Sequence, residues 1–145
     1  MDPACPTPQA PNQRVAGTFV LYPKPFGIQA EYNWGRGPEY NPETNRVEDA
    51  PLKGGYVLAS YMIQKDGDTI IPFTRYHYYS GGKKFEMDAT RHRVNELEIG
   101  IEWQPHKNFE LVGMYTISDR TAENSLNPVN RQKGSLLRLQ AQVNF

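Results

Sequence analysis

The sequence predicts an all-β fold, an antiparallel up-and-down meander, from three observations. Apolar and polar residues alternate with a period of two, and no segment sustains the i, i+3, i+4, i+7 apolar spacing of an amphipathic helix. Turn-forming residues separate the alternating segments. The last segment is the clearest, because Leu137, Leu139, Ala141 and Val143 share one face of a strand whose other face is polar.

Seven strands are predicted, over residues 15–22, 26–35, 55–64, 69–80, 96–104, 108–119 and 137–145. Short turns join the first strand to the second, the third to the fourth and the fifth to the sixth. These turns, at residues 23–25, 65–68 and 105–107, contain Pro, Gly or Asp. The other connections, residues 36–53, 81–92 and 120–133, are long and polar. All short turns therefore lie at one end of the sheet and all long loops at the other end. Residues 1–14 are expected to be a disordered Pro-rich tail or a loop remnant, and residues 15–145 a C-terminal β-barrel segment.

Composition excludes several classes of protein. The chain has 145 residues with 16 Lys+Arg and 16 Asp+Glu, and a zero net charge argues against a nucleic-acid partner. No apolar run approaches the ~20 residues of a transmembrane helix. Cys5 is the one cysteine, so no internal disulfide can form. Residues 1–12 lack a secretory signal pattern, so either the protein is cytosolic or the chain is not a complete precursor.

Two barrels fit this pattern, and they differ in where the apolar face points. Strands with short turns at one rim and long loops at the other are typical of a transmembrane outer-membrane β-barrel, whose apolar face meets lipid. Aromatic residues near the two strand ends favour this barrel, because aromatic girdles lie at the lipid headgroups. The girdle candidates are Trp34, Trp103, Phe109 and Phe145. The alternative is a soluble or periplasmic β-barrel that binds a hydrophobic ligand and points its apolar face inward.

The polar face supplies the candidate pore-lining residues. Strand alternation assigns to it Arg75, Arg138, Glu31, Glu96, Glu98, Glu102 and Glu110. This part of the wall is net acidic, whereas anion selectivity needs Lys or Arg where low-dielectric walls focus the field. We expect neighbouring glutamates to pair with the arginines.

No catalytic or metal-binding residue is predicted, and no cofactor. Glu98 and Glu102 share one strand face and could be drawn as the paired carboxylates of a hydrolase, but on a pore wall they are water-facing charges. His77, His92 and His106 lie on three different segments, so they form no ligand pair at i+2 or i+4 spacing.

Several segments together resemble the C-terminal part of the phosphate-selective porin O and P family. They are residues 54–57, 71–76 and 95–105 and the terminal Phe145, with the hairpin from Asn95 to Thr121 as the most specific piece. The resemblance implies a sixteen-stranded barrel of the bacterial outer membrane, a homotrimer when full length, that passes small hydrophilic solutes, including anions such as phosphate, by passive diffusion. About seven strands cannot close such a barrel, so the chain is expected to be a C-terminal fragment of a porin or the product of a truncated reading frame.

The end of the chain suggests partners. An alternating final strand that ends on Phe145 resembles the signal by which bacterial outer-membrane proteins engage the barrel assembly machinery. Outer-membrane lipid and lipopolysaccharide are the other partners that the resemblance implies.

Overall fold

The protein is described by a computed structural model that covers residues 13–82, 90–123 and 130–144. These residues form one antiparallel sheet, as predicted, and contain no helix that could cross a membrane. The strands are β1 (Gln13–Leu21), β2 (Phe26–Asn41), β3 (Arg46–Tyr61), β4 (Ile63–Lys65), β5 (Asp68–Gly81), β6 (His92–His106), β7 (Phe109–Ala122) and β8 (Arg131–Val143).

The strands lie side by side in chain order, apart from the short β4. The order across the sheet is β1-β2-β3-β5-β6-β7-β8, and β4 pairs with β5 beside β3. Both β3 and β4 pair with β5 in one register, since Ser60 lies opposite Phe73 and Ile63 opposite Ile70. The two are thus one strand with a break, and the meander has the seven strands that the alternation predicts.

The break between β3 and β4 has a local cause. The shared register places Pro72 of β5 opposite Tyr61, and proline has no N–H to donate across the ladder. The backbone N–H of Met62 instead donates to the carbonyl oxygen of Pro25, at 2.6 Å. The β1–β2 turn therefore holds the strand on the side away from β5 at the point of the break.

The short turns follow the predicted positions with one shift. Asp66 and Gly67 have positive φ values of 53° and 94°, as a tight hairpin between β4 and β5 requires. The turn expected at residues 105–107 instead lies at residues 107–108, because β6 continues to His106. Its register shifts between Trp103 and His106, which places Pro105 in a bulge, where a missing N–H is tolerated.

The long loop expected over residues 36–53 is wrong for most of its length. β2 and β3 stay paired as far as Asn41 and Arg46, so that only residues 42–45 form the turn. Polar pairs hold this extension together, including a 2.6 Å contact between Arg36 Nε and Asp49 Oδ2. At the tip, the Thr44 hydroxyl donates to Glu48 Oε1 at 2.6 Å. Alternation could not reveal these strands, because both of their faces are polar.

A hydrophobic core is missing from the described part of the chain. Leu52 is its one buried hydrophobic residue, whereas twenty-three large hydrophobic residues are exposed. A soluble domain of this size folds by burying an apolar face against a second layer, and the described residues form one sheet without a second layer. The apolar surface of the sheet therefore needs a partner other than water.

Two predictions concern residues that the structure does not describe. Residues 1–12 of the expected tail lie outside the described ranges, and β1 begins at Gln13. Phe145 also lies outside them, so its place in a girdle stays a prediction.

Candidate functional site

The strand register sorts the side chains onto two faces, which we call the apolar face and the polar face. Residues directly opposite each other in an antiparallel pair point to the same side. The register therefore connects Leu137 through Tyr115, Ile99, Thr74, Ala59 and Ile28 to Leu21 on the apolar face. On the polar face, Arg75 lies opposite Glu98, which lies opposite Thr116.

In the inner strands β2 to β7 the apolar face is the more exposed one, and in the edge strands β1 and β8 both faces are exposed. Leu139 is 74% exposed and Ile99 is 55% exposed, whereas Glu98 on the polar face is 8% exposed. Other exposed members of the apolar face are Val15, Phe19, Tyr32, Val57, Tyr76, Leu97, Ile101, Ile117, Leu137 and Val143. This arrangement is the reverse of that of a soluble barrel, which buries its apolar side chains.

The apolar residues form a band that crosses the sheet on a diagonal. In β1 the band runs from Val15 to Leu21, and in β8 it runs from Leu137 to Val143. The register places Leu137 level with Leu21. The long-loop edge of the band is therefore Val15 in β1 but lies six residues closer to the short-turn end in β8. Six residues are about 20 Å of strand and six strand spacings are about 29 Å, which gives an angle of about 35°. Membrane-spanning barrels tilt their strands by ~35–45°.

The height of the band also fits a membrane. In β2 it extends from Phe26 to Trp34, which is about 27 Å of strand, or about 22 Å after correction for the tilt. The lipid-facing band of outer-membrane barrels is ~25 Å tall. A flat layer of lipid cuts tilted strands at a different residue in each strand, which explains the diagonal.

The described girdle candidates lie at the two edges of this band. Trp34 is at the long-loop edge, where its ring stacks on that of Tyr32 with a centroid distance of 5.9 Å. Trp103 is at the short-turn edge, where its Nε1 donates to Asp68 Oδ2 at 3.1 Å. Phe109 begins β7 at the same edge. Each indole or phenyl ring thus projects from the apolar face where the band meets polar groups.

On the polar face, the structure brings Arg75 and Glu98 together. Arg75 Nε donates to Glu98 Oε2 at 2.6 Å, and a second guanidinium nitrogen lies 2.5 Å from the same oxygen. The guanidinium carbon is 6.0 Å from the centroid of the Tyr56 ring. This is the pairing that the sequence predicts for the arginines, and it neutralises the charge of Arg75.

Neutral donors, rather than arginines, bind most of the other carboxylates of this face. Asn33 Nδ2 donates to Glu31 at 2.7 Å, the Ser118 hydroxyl donates to Glu96 at 2.8 Å, and Gln104 donates to Glu102. His77 Nδ1 lies 3.5 Å from Glu96. Within the described ranges, the Glu110 side chain has no hydrogen-bond or ion-pair partner. The wall therefore keeps most of its negative charge.

Arg138 differs from Arg75, because it has no carboxylate partner among the described residues. It lines a cavity of about 420 Å³ together with Arg75, Glu98 and Glu102. Side chains from β2 to β8 line this cavity, so the polar face is concave. The prediction that glutamates would pair with the arginines thus holds for Arg75 and not for Arg138.

A charged cluster beyond the band is a feature that the sequence did not predict. Arg91, which precedes β6, lies 3.0 Å from Glu123 and 3.5 Å from Glu39, and it donates to the Ser80 hydroxyl at 2.9 Å. Burial raises the pKa of the Glu39 carboxyl, Arg91 opposes this rise and Glu123 adds to it. The cluster joins the β2–β3 hairpin, β5 and the end of β7, which are far apart in the sequence.

The described residues contain no group of three or more His, Cys, Asp or Glu side chains that could hold a metal ion. The side chains of the polar face can form hydrogen bonds with ions and polar solutes, bind them weakly and set the electrostatic potential of a water-filled space.

Comparison with known proteins agrees with this geometry. Searches of curated proteins and of solved structures found no match. The family model described as phosphate-selective porin O and P matches residues 5–145, which is nearly the whole chain. The exposed tilted band and the concave polar wall are the features that a barrel of this kind requires, and the chain belongs to the phosphate-selective porin O and P family.

Proposed function

We propose that the chain forms part of the wall of an outer-membrane pore through which small hydrophilic solutes diffuse passively. Membership of the porin family implies the bacterial outer membrane and a channel rather than an enzyme. The tilted apolar band is the observation that carries the proposal, because it has the angle and height of a lipid-facing belt. The concave polar face on the other side of the same strands then lines the water-filled lumen.

The sheet edges support a place in a larger barrel. β1 and β8 each pair on one side within the described sheet, and both run from the long-loop end to the short-turn end. A closed antiparallel barrel needs a strand of the opposite direction beside each of them. An odd number of further strands meets this need, as would nine strands in a sixteen-stranded barrel. A second copy in the same orientation cannot supply these strands, because its own edge strands also run from the long-loop end to the short-turn end.

Adjacent cysteine substitutions test which face meets water. In a closed porin that carries these strands, with Cys5 replaced by serine, we expect Gln140→Cys to react with a charged, water-soluble thiosulfonate in planar bilayers and to reduce the conductance. Leu139→Cys, one residue away on the apolar face, serves as the control. We expect it to resist the reagent and, with a fluorophore attached, to be quenched by brominated lipid.

The same experiment can contradict the proposal in favour of the alternative, a soluble or periplasmic barrel that binds a hydrophobic ligand. That protein would remain a folded monomer without detergent or lipid, and brominated lipid would not quench a fluorophore at position 139. It would also give no conductance, either alone or within a longer polypeptide that carries these strands. The exposure of the apolar face argues against it.

The solute class depends on the charges of the wall. The family description names phosphate, and Arg138 is a guanidinium on the described polar face that has no carboxylate partner. We expect Arg138→Gln to lower the anion-to-cation permeability ratio severalfold, because a charge in a narrow aqueous space focuses the potential. The reversal potential in a KCl gradient measures this ratio. Lys53→Gln removes one positive charge from the apolar face and should leave the ratio unchanged; an equal effect of both variants would contradict the role of Arg138.

The partners follow from the same proposal. Outer-membrane lipid and lipopolysaccharide would cover the apolar face, and the barrel assembly machinery would engage the strand that ends at Phe145. The full-length porin would be a homotrimer, by analogy with the family. Chemical cross-linking of the porin in outer-membrane vesicles tests this oligomeric state.

A further inference from the structure

The apolar face contains a groove that the proposed pore does not use. It lies at the long-loop half of the band, across β1, β2, β3 and β5, and has a volume of about 460 Å³. Gly17, Ala30 and Gly55 form its small-residue part, and larger side chains border it. Those on the apolar face are Phe19, Tyr32, Val57, Tyr76 and Tyr78.

The groove is built into the sheet rather than left by mobile side chains. A Cβ atom at Gly55 would lie 2.1 Å from the backbone carbonyl oxygen of Glu31, so no side chain fits there without moving β2. The rings beside it are held in place. Tyr32 stacks on Trp34, and the Tyr76 hydroxyl donates to Asn95 Oδ1 at 2.9 Å.

A positive charge lies directly above the groove. Lys53 is two residues before Gly55 on the same face, opposite Trp34 and Ser80 in the register, and it is exposed. Two residues of strand are about 7 Å, within the reach of a lysine side chain. Among the residues that the structure describes, the Lys53 side chain has no hydrogen bond and no ion pair, whereas the Arg93 side chain in the same row lies 2.7 Å from Glu123.

The positive charge and the groove are arranged like the headgroup and the acyl chain of a lipid molecule. The ammonium group of Lys53 and the ring of Trp34 are at the edge of the band, where headgroups lie, and the apolar groove continues toward the bilayer centre. We propose that the groove binds one acyl chain of an anionic lipid, with the lipid phosphate held by Lys53. This inference rests on the proposed function, because it requires the apolar face to meet the bilayer.

The two tryptophans allow a direct test, since Trp34 adjoins the groove and Trp103 lies at the opposite edge of the band. The full chain is reconstituted in neutral phosphatidylcholine vesicles that contain a minor fraction of phosphatidylglycerol brominated in its acyl chains. Trp103→Phe leaves Trp34 as the reporter, and Trp34→Phe leaves Trp103. We expect several times more quenching of Trp34 than of Trp103, and a smaller excess at high salt.

Two variants should abolish the excess quenching of Trp34 by different routes. Lys53→Gln removes the contact with the phosphate. Gly17→Leu fills the groove, and it does so without a clash, because a Cβ at Gly17 would have no atom within 4 Å. Gly113→Leu is the matched control on the same face outside the groove, where the nearest atom to a Cβ is Leu139 Cδ2 at 3.6 Å.

The outcomes separate this site from the pore proposal. Equal quenching of both tryptophans by the anionic lipid, with both quenched by brominated phosphatidylcholine, would overturn the site and leave the membrane-spanning wall intact. A Trp34 that no lipid quenches, beside a quenched Trp103, would show that protein such as a second copy covers the groove. If brominated phosphatidylcholine quenches neither tryptophan, the membrane-spanning wall fails and the lipid site fails with it.

Discussion

Ile99→Lys is expected to lower the free energy of unfolding in lipid vesicles by about 2–4 kcal/mol, the cost of a basic side chain near the centre of a lipid-facing strand. Ile99 lies in the middle of β6 on the apolar face and is 55% exposed in the isolated sheet. In water, a lysine at so exposed a position costs little, so this loss depends on lipid. Denaturant titration of the vesicle-bound chain, followed by tryptophan fluorescence, measures it.

The control for Ile99→Lys is a lysine on the other face of the sheet. Thr116 on β7 lies opposite Glu98 on the polar face, so that Thr116→Lys places the same charge in the aqueous lumen beside a carboxylate. We expect it to change stability by less than about 1 kcal/mol. Equal losses for the two lysines, or a larger loss for Thr116→Lys, would contradict the assignment of the faces.

Arg75→Gln is expected to cost about 1–3 kcal/mol, because it leaves the carboxylate of Glu98 without its cation. The Glu98 side chain is 10% exposed and accepts both contacts from Arg75 on one oxygen. The Arg75 side chain is 40% exposed, so water moderates the loss and keeps it below that of a fully buried pair. Denaturant titration in vesicles again gives the free energy of unfolding.

The two partners of this pair should not be equivalent. Glu98→Gln leaves Arg75 beside Tyr56 and open to water, so we expect it to cost less than Arg75→Gln. The double variant, with both residues changed to glutamine, should recover part of the loss, and the double-mutant cycle then gives the coupling energy of the pair. A larger cost for Glu98→Gln, or strict additivity, would show that the contact does not hold β5 to β6.

Much of the wall could be predicted from single strands. Alternation alone assigns Glu98 and Ile99 of β6 to opposite faces, and likewise Leu139 and Gln140 of β8, because successive residues of a pleated strand point to opposite sides. The match of the family model to residues 5–145 and the observed meander confirm the predicted family and fold class. Turn chemistry placed the hairpin at Asp66 and Gly67 correctly.

What the sequence could not show depends on pairing between strands. The tilt of the band exists only in the register that connects Leu21 with Leu137, and no single strand contains that information. The β2–β3 extension was missed because its two polar faces show no alternation. The contacts of Arg91 with Glu39 and Glu123 join loops that are distant in sequence, and charges in such loops are ordinarily solvated.

The near absence of buried apolar side chains bears on how such a chain reaches its membrane. With Leu52 as the one buried hydrophobic residue that the structure describes, the sheet gains little in water from becoming ordered. In the proposed pore, lipid would therefore supply most of the stability, and a compact state formed in water would expose strand edges and apolar side chains to other copies. We expect such a chain to reach the bilayer unfolded, bound by a partner that releases it there.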